Sequence, residues 1–413
     1  MSDIQRRVEA VWRIEGARIV ATLARMVKDL GQAEDLAQEA VADALSQWPE
    51  SGVPRNAGAW LTTVAKRKAI DVWRRNGRLD AKYRELADEI AREQLDESGP
   101  FDDDMLRLVF TACHPVLGRE AQVALTLRVV GGLSTEEISR MFLVEIPTIQ
   151  QRIVRAKRTL AAAKVPFEVP EPEEWARRLD TVLSVIYLTF TEGYAATSGE
   201  NLLRTDLANE ALRLGRIVAG LVPREPEAHA LVSLMEFQAS RFATRISPDG
   251  TPTLLADQDR SRWDRGQITR GIIALARADA IGRGRGNYAL QAAIARCHAT
   301  ALSVEDTDWE HIVALYEALA GLTGNPVVEL NRAVAVSMAY GAIEALQIVD
   351  EIAASDALRG SHLLPSVRGE LLTRLGRHPE ARSELVTAAD LTGNSRQRDI
   401  LLAKAAALRD TNA

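Results

Sequence analysis

The chain has 413 residues, of which 46% are hydrophobic and 26% charged, and a formal net charge of -6. That length predicts roughly two to four domains, and the acidic balance excludes a molecule that coats nucleic acid over its whole surface. Two cysteines, Cys113 and Cys297, exclude a disulfide framework.

Aromatics are few at 5%, and alanine, leucine and arginine are plentiful, a composition that favours helices. No apolar run approaches the ~18 residues that span a bilayer, and "MSDIQRRVEA" lacks the apolar stretch of a signal peptide. The expectation is an all-α protein of the cytoplasm, with no membrane partner.

The first ~80 residues read as helices. "ARIVATLARMV" spaces Ile19, Leu23, Met26 and Val27 at a helical period, and "AEDLAQEAVADAL" places Leu36, Ala40, Val41 and Leu45 on one stripe. "PESGVPRNAG" breaks the pattern with two prolines and two glycines and reads as a loop. "AWLTTVAKRKAIDVWRR" resumes a helix, with Leu61, Val64, Ala65 and Val72 able to face a core. Its segment Lys66 to Arg75 holds five basic side chains, one acid and Trp73. Cations neutralise phosphates, and an aromatic stacks on an unpaired base for ~1–3 kcal/mol. A solvated charged helix with Trp73 packed inward is the other reading.

Residues 80–104 turn acidic and aperiodic and read as a linker. A second helical block, 105–166, contains "GGLSTEEISRMFLVEIPTIQQRIVRAKRTL". Gly131 and Gly132 end one helix, Ser134 with Glu137 forms a capping box for the next, and Ile138 and Met141 give that helix an apolar side. After a break at residues 144–146, Ile149, Ile153 and Leu160 share a face, while Gln150, Gln151, Arg152, Arg155, Lys157 and Arg158 lie largely elsewhere. Two short helices with a tight turn, the second basic, form a helix-turn-helix pattern, the alternative being an ordinary hairpin in a bundle.

"VPFEVPEPEEW" marks a boundary with three prolines, and residues 173–413 read as a helical array. Gly341 aligns with Gly376 and Ala345 with Ala381, offsets of 35 and 36 residues, near the ~34-residue tetratricopeptide period. "SPDGTPTLLADQDRSRWDRG" stands apart as a loop with dense charge. Three signals weigh less. Cys113 beside His114 is a poor metal site and reads as a packed cysteine; no metal or cofactor is expected. "GRGRG" at 282–286 lacks the strand–helix context of a phosphate loop. Asp257, Asp259 and Asp264 have no histidine or nucleophile beside them, so catalysis is not expected.

With those motifs in view, the N-terminal ~165 residues resemble a bacterial sigma factor of the extracytoplasmic-function (ECF) type, which has only regions two and four. "AEDLAQEAVADAL" resembles the region-two helix that binds the largest subunit of RNA polymerase. "AWLTTVAKRKAIDVWRR" resembles the stretch that opens and reads the minus-ten element, and the helix-turn-helix resembles the reader of the minus-thirty-five element. The resemblance implies that residues 1–79 form region two and 105–166 region four. It assigns polymerase contact, with the largest and second-largest subunits of the core as partners, to Asp35, Gln38 and Glu39. It assigns minus-ten contact to Val53, Arg55, Asn56, Trp60, Lys66, Arg67, Asp71, Trp73, Arg74 and Arg75, the loop at 53–57 capturing an extruded base. It assigns minus-thirty-five contact to Thr148, Gln150, Gln151, Arg152, Arg155, Lys157 and Arg158. In place of the glycine common in that turn this chain has Leu143, and Pro147 sits later than usual.

Residues 173–413 resemble the tetratricopeptide-like extension of ECF group forty-two, which implies a regulatory or supporting role. The charged motif, Asp257, Gln258, Asp259, Arg260, Arg262, Trp263 and Asp264, has three readings: salt bridges from the extension to the sigma domains, a ligand or polymerase site, or a capped helix start with surface charges. Two rivals stand beside the sigma reading. One is a helix-turn-helix regulator with a tetratricopeptide sensor that acts without polymerase; the other is an enzyme centred on the charged motif.

Overall fold

The computed structural model describes residues 3–75, 101–142, 144–194, 205–246, 253, 255–393 and 395–408. The chain divides into two compact units. The first comprises Met1–Gly193 with Asp206–Val222, the second Tyr194–Thr205 with Pro223–Ala413. The fold is all-α: the described residues form helices and no sheet.

In the first unit α1 (Asp3–Val27), α2 (Leu30–Ser51) and α3 (Ala57–Arg75) pack mutually. Asp29 starts α2 by accepting a hydrogen bond from the Gln32 N–H at 2.8 Å. The buried stripe of α2 is Ala33, Leu36, Ala37, Ala40, Ala44 and Trp48. Four alanines let α1 approach closely, so the stripe rotates away from the expected one: Val41 is only half-buried and Leu45 is exposed. On α3 it is Leu61, Ala65 and Ala69 that are buried, with Val64 and Val72 at the margin. The expected loop is shorter than its prolines suggested. Pro49 to Ser51 complete the last turn of α2, where the missing N–H of Pro49 removes a single bond from an end that leaves carbonyls unpaired anyway.

The region-four block is α4 (Phe101–Ala112), α5 (Arg119–Val129), α6 (Thr135–Phe142) and α7 (Ile146–Ala162). α4 begins inside the expected linker. Asp104, assigned there, is 2% exposed and held by Arg25 at 2.9 Å and Arg107 at 3.0 Å, and these contacts draw the chain into a helix that packs on α1. Residues 76–100 of the linker and the turn residue Leu143 lie outside the described residues. The Ser134–Glu137 capping box forms in both directions, at 2.8 and 3.1 Å. Ile149, Ile153, Ala156 and Leu160 form the buried face of α7.

Two helices beyond the proline-rich boundary belong to the first unit: α8 (Pro172–Tyr194) and α9 (Thr205–Leu221). The second unit runs through α10 (Pro226–Ala239), α11 (Arg265–Ile281), α12 (Asn287–Thr300), α13 (Trp309–Thr323), α14 (Pro326–Ala339), α15 (Ala342–Ala354), α16 (Leu363–Arg374), α17 (His378–Leu391) and α18 (Ser395–Ala407). Sequential neighbours pack from α11 onward, and α10 is buried on nearly all sides between α11 and α12. Gly341 and Gly376, with φ of 122° and 73°, both stand in turns just before a helix, and Ala345 and Ala381 are both fully buried. The 35-residue spacing thus marks two successive helical hairpins, α14–α15 and α16–α17.

Candidate nucleic-acid and polymerase interface

The opening of α3 is built locally. Asn56 accepts from the Ala59 N–H at 2.9 Å and so caps the helix, while Trp60 meets the buried Trp48 edge-on with ring centroids 5.4 Å apart. Val53 is half-buried; Arg55, Asn56 and Arg67 are exposed. Lys66 and Asp71 are half-buried and already partnered. Lys68 reaches back to α2, to Asp43 at 3.0 Å and Glu39 at 3.4 Å, and the hydrogen bond it donates to Asp43 raises its pKa. Trp73, Arg74 and Arg75 lie on the last turn of α3, and their side chains are outside the description.

On α7, Thr148, Gln150, Gln151, Arg155 and Arg158 are exposed on the side opposite the buried stripe. The two remaining cations are engaged. Arg152 pairs with Glu120 at 2.7 Å, and Lys157 contacts Glu34 of α2 directly and lies 3.8 Å from Asp35. Glu34 is the residue that sequence reasoning missed. Its side chain is 5% exposed and is gripped from the other side by Arg128 of α5, Nε to Oε1 at 2.5 Å. Burial pushes the Glu34 carboxyl up, but Arg128 and Lys157 together outweigh it and hold the group below its ordinary value.

That contact is one stitch of a seam between α1–α2 and the region-four helices. Arg13 of α1 pairs with Glu137 of α6, and Arg25 with Asp104 of α4. At Asp104 burial wins over both arginines and leaves the carboxyl above its usual range. Gln38, Val41 and Leu45 face a cleft of about 770 Å³ whose other wall includes Arg128, Gly132 and Glu137. Of the three residues assigned to polymerase, Asp35 therefore stands beside Lys157, Gln38 lines this cleft and Glu39 holds Lys68. None of these pairings joins residues close in sequence.

Region four is joined to α8 and α9 by different means. Phe110 of α4 packs against Trp175 with ring centroids 5.3 Å apart. Arg178, itself buried, donates to the Phe110 carbonyl at 2.9 Å, and Arg213 donates to the Gly131 carbonyl at 2.9 Å.

In the second unit the charged motif is an internal pin. Arg260, 6% exposed, donates to the His298 and Ala301 carbonyls and to Thr307 Oγ1 at 3.1–3.2 Å, and stacks on the buried Trp263 at 5.3 Å. Gln258 is buried and donates to Thr253; Asp259 caps a short turn, and Asp264 caps α11 through the Gln267 N–H. Arg262 and Asp257 are exposed. Among the described residues these partners lie within the second unit, the arrangement of a capped helix start with a buried guanidinium added.

Cys113 is packed: its thiol lies 3.3 Å from the Thr126 hydroxyl, and burial pushes its pKa up to about 11. At "GRGRG" the N–H groups of Tyr288 and Ala289 that open α12 are taken by Glu227, at 2.7 and 3.2 Å, so a carboxylate occupies the place a phosphate would need. Among the described residues no cluster suits a metal ion, and no helix is long and apolar enough to cross a membrane.

The segments that supply these two basic helices match known families. Residues 13–79 match sigma-70 region 2 and residues 107–160 match sigma-70 region 4. The chain belongs to the ECF sigma-factor family. It carries a C-terminal extension, of which residues 178–279 match a family of unknown function, DUF6596. The uncharacterized protein R00370 of Rhizobium meliloti (strain 1021) is 42% identical over 390 residues, 91% of this chain and 90% of that protein. A probable ECF RNA polymerase sigma factor, SigI, from two strains of Mycobacterium tuberculosis is 28% identical over 176 residues, 40% of this chain and 58% of SigI. No solved structure matches. Sigma-factor domains imply binding to core RNA polymerase and to promoter DNA.

Proposed function

We propose that this ECF sigma factor meets polymerase through α2, melts the minus-ten element with α3 and the 53–57 loop, and reads the minus-thirty-five element with α7, after its two domains have parted. The names of the two elements put them about 25 base pairs apart, on the order of 85 Å of duplex at 3.4 Å per pair. Region two and region four, stitched together at Glu34, cannot reach both at once. The observation that carries this reading is Glu34 itself: an acid on the polymerase-facing helix is held by Lys157, a cation of the recognition helix. The closed arrangement holds the two surfaces together and engages Lys157, and opening separates them and frees that cation.

In this reading the extension, a tetratricopeptide-like array of the group forty-two type, regulates or supports that opening. The test is a lock. With Cys297→Ser as background, Arg13→Cys and Glu137→Cys place one thiol on each side of the seam, at positions whose side chains now pair. Run-off transcription with core polymerase and a promoter library is expected to yield specific starts when the pair is reduced, and at least tenfold less product when it is oxidised. Equal yield in both states removes the closed-state control. Absence of specific starts in the reduced state removes the promoter-directing role.

A further inference from the structure

Beneath the seam lies a second cleft, of about 630 Å³, bounded by the end of α1, the start of α2, α4, and the end of α7 with the segment after it. Its volume is that of small-molecule sites. Its walls carry five cations, Arg25, Lys28, Arg107, Lys157 and Lys164, against two lining acids, Asp29 and Glu168. In a chain of net charge -6 this is a local reversal of sign.

Three of the cations are partly neutralised from outside the lining: Arg25 and Arg107 by Asp104, Lys157 by Glu34. Lys28 and Lys164 are not ion-paired among the described residues, and both are exposed. They stand in left-handed backbone, with φ of 56° and 50°, a conformation that costs a non-glycine residue on the order of 1 kcal/mol. In the wall, the Thr111 hydroxyl is buried and makes no hydrogen bond. Two exposed amines, two guanidinium groups and an unused hydroxyl thus line one acceptor-seeking site.

We propose that this cleft binds a phosphorylated small molecule, whose phosphate oxygens bridge Arg25 and Lys28 of region two to Arg107 and Lys164 of region four. Bound there, the anion neutralises charge on both sides of the seam and favours the closed arrangement. This coupling rests on the closed-state reading above, whereas the binding does not. Phosphate is also the chemistry of a DNA backbone, so the test separates the two sources.

Inorganic pyrophosphate serves as probe, titrated into the full chain by calorimetry at fixed ionic strength. One saturable site is expected, with affinity at least tenfold weaker in the Lys28→Gln/Lys164→Gln double variant and several-fold stronger in Glu168→Gln, while the circular dichroism of both variants is unchanged. Pyrophosphate is also expected to speed disulfide closure between Arg13→Cys and Glu137→Cys several-fold. Absence of a saturable site, or affinity indifferent to all three substitutions, overturns the site. Displacement of pyrophosphate by a short random duplex, with the same dependence on Lys28 and Lys164, makes it a DNA-backbone contact and overturns the small-molecule assignment. Saturable binding with an unchanged closure rate leaves the site and overturns its coupling to the seam.

Discussion

Region four has two neighbours in the first unit, and it is held to them in opposite ways. Toward region two, beside the packing of α4 on α1, the side-chain pairs are charges: Glu34 with Arg128 and Lys157, Arg13 with Glu137, Arg25 with Asp104. Toward α8 and α9 they are a ring pair, Phe110 with Trp175, and guanidinium groups sunk onto backbone carbonyls. Charges that leave one another regain water, so a seam made of them can open without stranding its partners. A ring removed from its stack leaves a void, and a buried carbonyl robbed of its donor finds no substitute. On the proposed reading the first junction is the one that parts and the second the one that stays.

The sharpest way to break this contrast is to cut the chain. Truncation after Glu171 removes α8 and α9 and bares Phe110, and region four is expected to lose cooperative unfolding. Truncation after Val222 retains the first unit and is expected to keep it, as read by calorimetry. Trp175→Ala is the point version, with an expected loss of about 3 kcal/mol. If both truncated chains unfold alike, the second junction is no stronger than the first.

A smaller effect is expected at the seam. Glu34→Gln leaves Arg128 and Lys157 without their anion, but each is 17% exposed and free to turn outward. The shift toward the open form is therefore about 2 kcal/mol, below the 3–5 kcal/mol of a sealed pair. Spin labels at Arg18 and Glu145 report it as a longer distance with little change in melting temperature. A fall in melting temperature with no change in distance would make Glu34 a fold-holding residue instead.

The weakest lever is pH. Glu34 titrates below its ordinary value of 4.5 in the closed form, so its contribution is complete above that value and is lost as pH falls through the lower one. Asp104 runs the other way, because its raised pKa makes the ionised form the costlier one. Acidification below about pH 4.5 is expected to open the seam in the parent chain by the difference between the two. In Glu34→Gln only the Asp104 arm remains, so the same labels are expected to show no opening.

Much of this was legible because it is local. The Ser134–Glu137 box, the Ile149–Ile153–Leu160 face and the Asp264 cap each involve residues within a turn or two of one another, where spacing alone decides the geometry. Glu34 was not legible: on an amphipathic helix one more acid reads as solvent-facing, and its partners are 94 and 123 residues away. The same holds for Asp104, which looked like part of an acidic spacer until Arg25 claimed it. Arg260 looked like surface charge among surface charges because no pattern in its own segment announces the carbonyls of α12 that receive it. Leu45 misled in the other direction, since a run of alanines can carry a helix interface without its larger neighbours. The basic helices were recognisable as cationic, but composition says nothing of which cations are already spoken for.

On the proposed reading Lys157 faces a choice that gives the seam a consequence for gene selection. Its amine cannot hold Glu34 and a promoter phosphate together, so every promoter that uses it must first outcompete the carboxylate. The closed form would thereby set a threshold common to those promoters, and sites that bind only slightly too weakly would fall silent while strong ones lose little. A single intramolecular bond would then sharpen discrimination between promoters without reading a base.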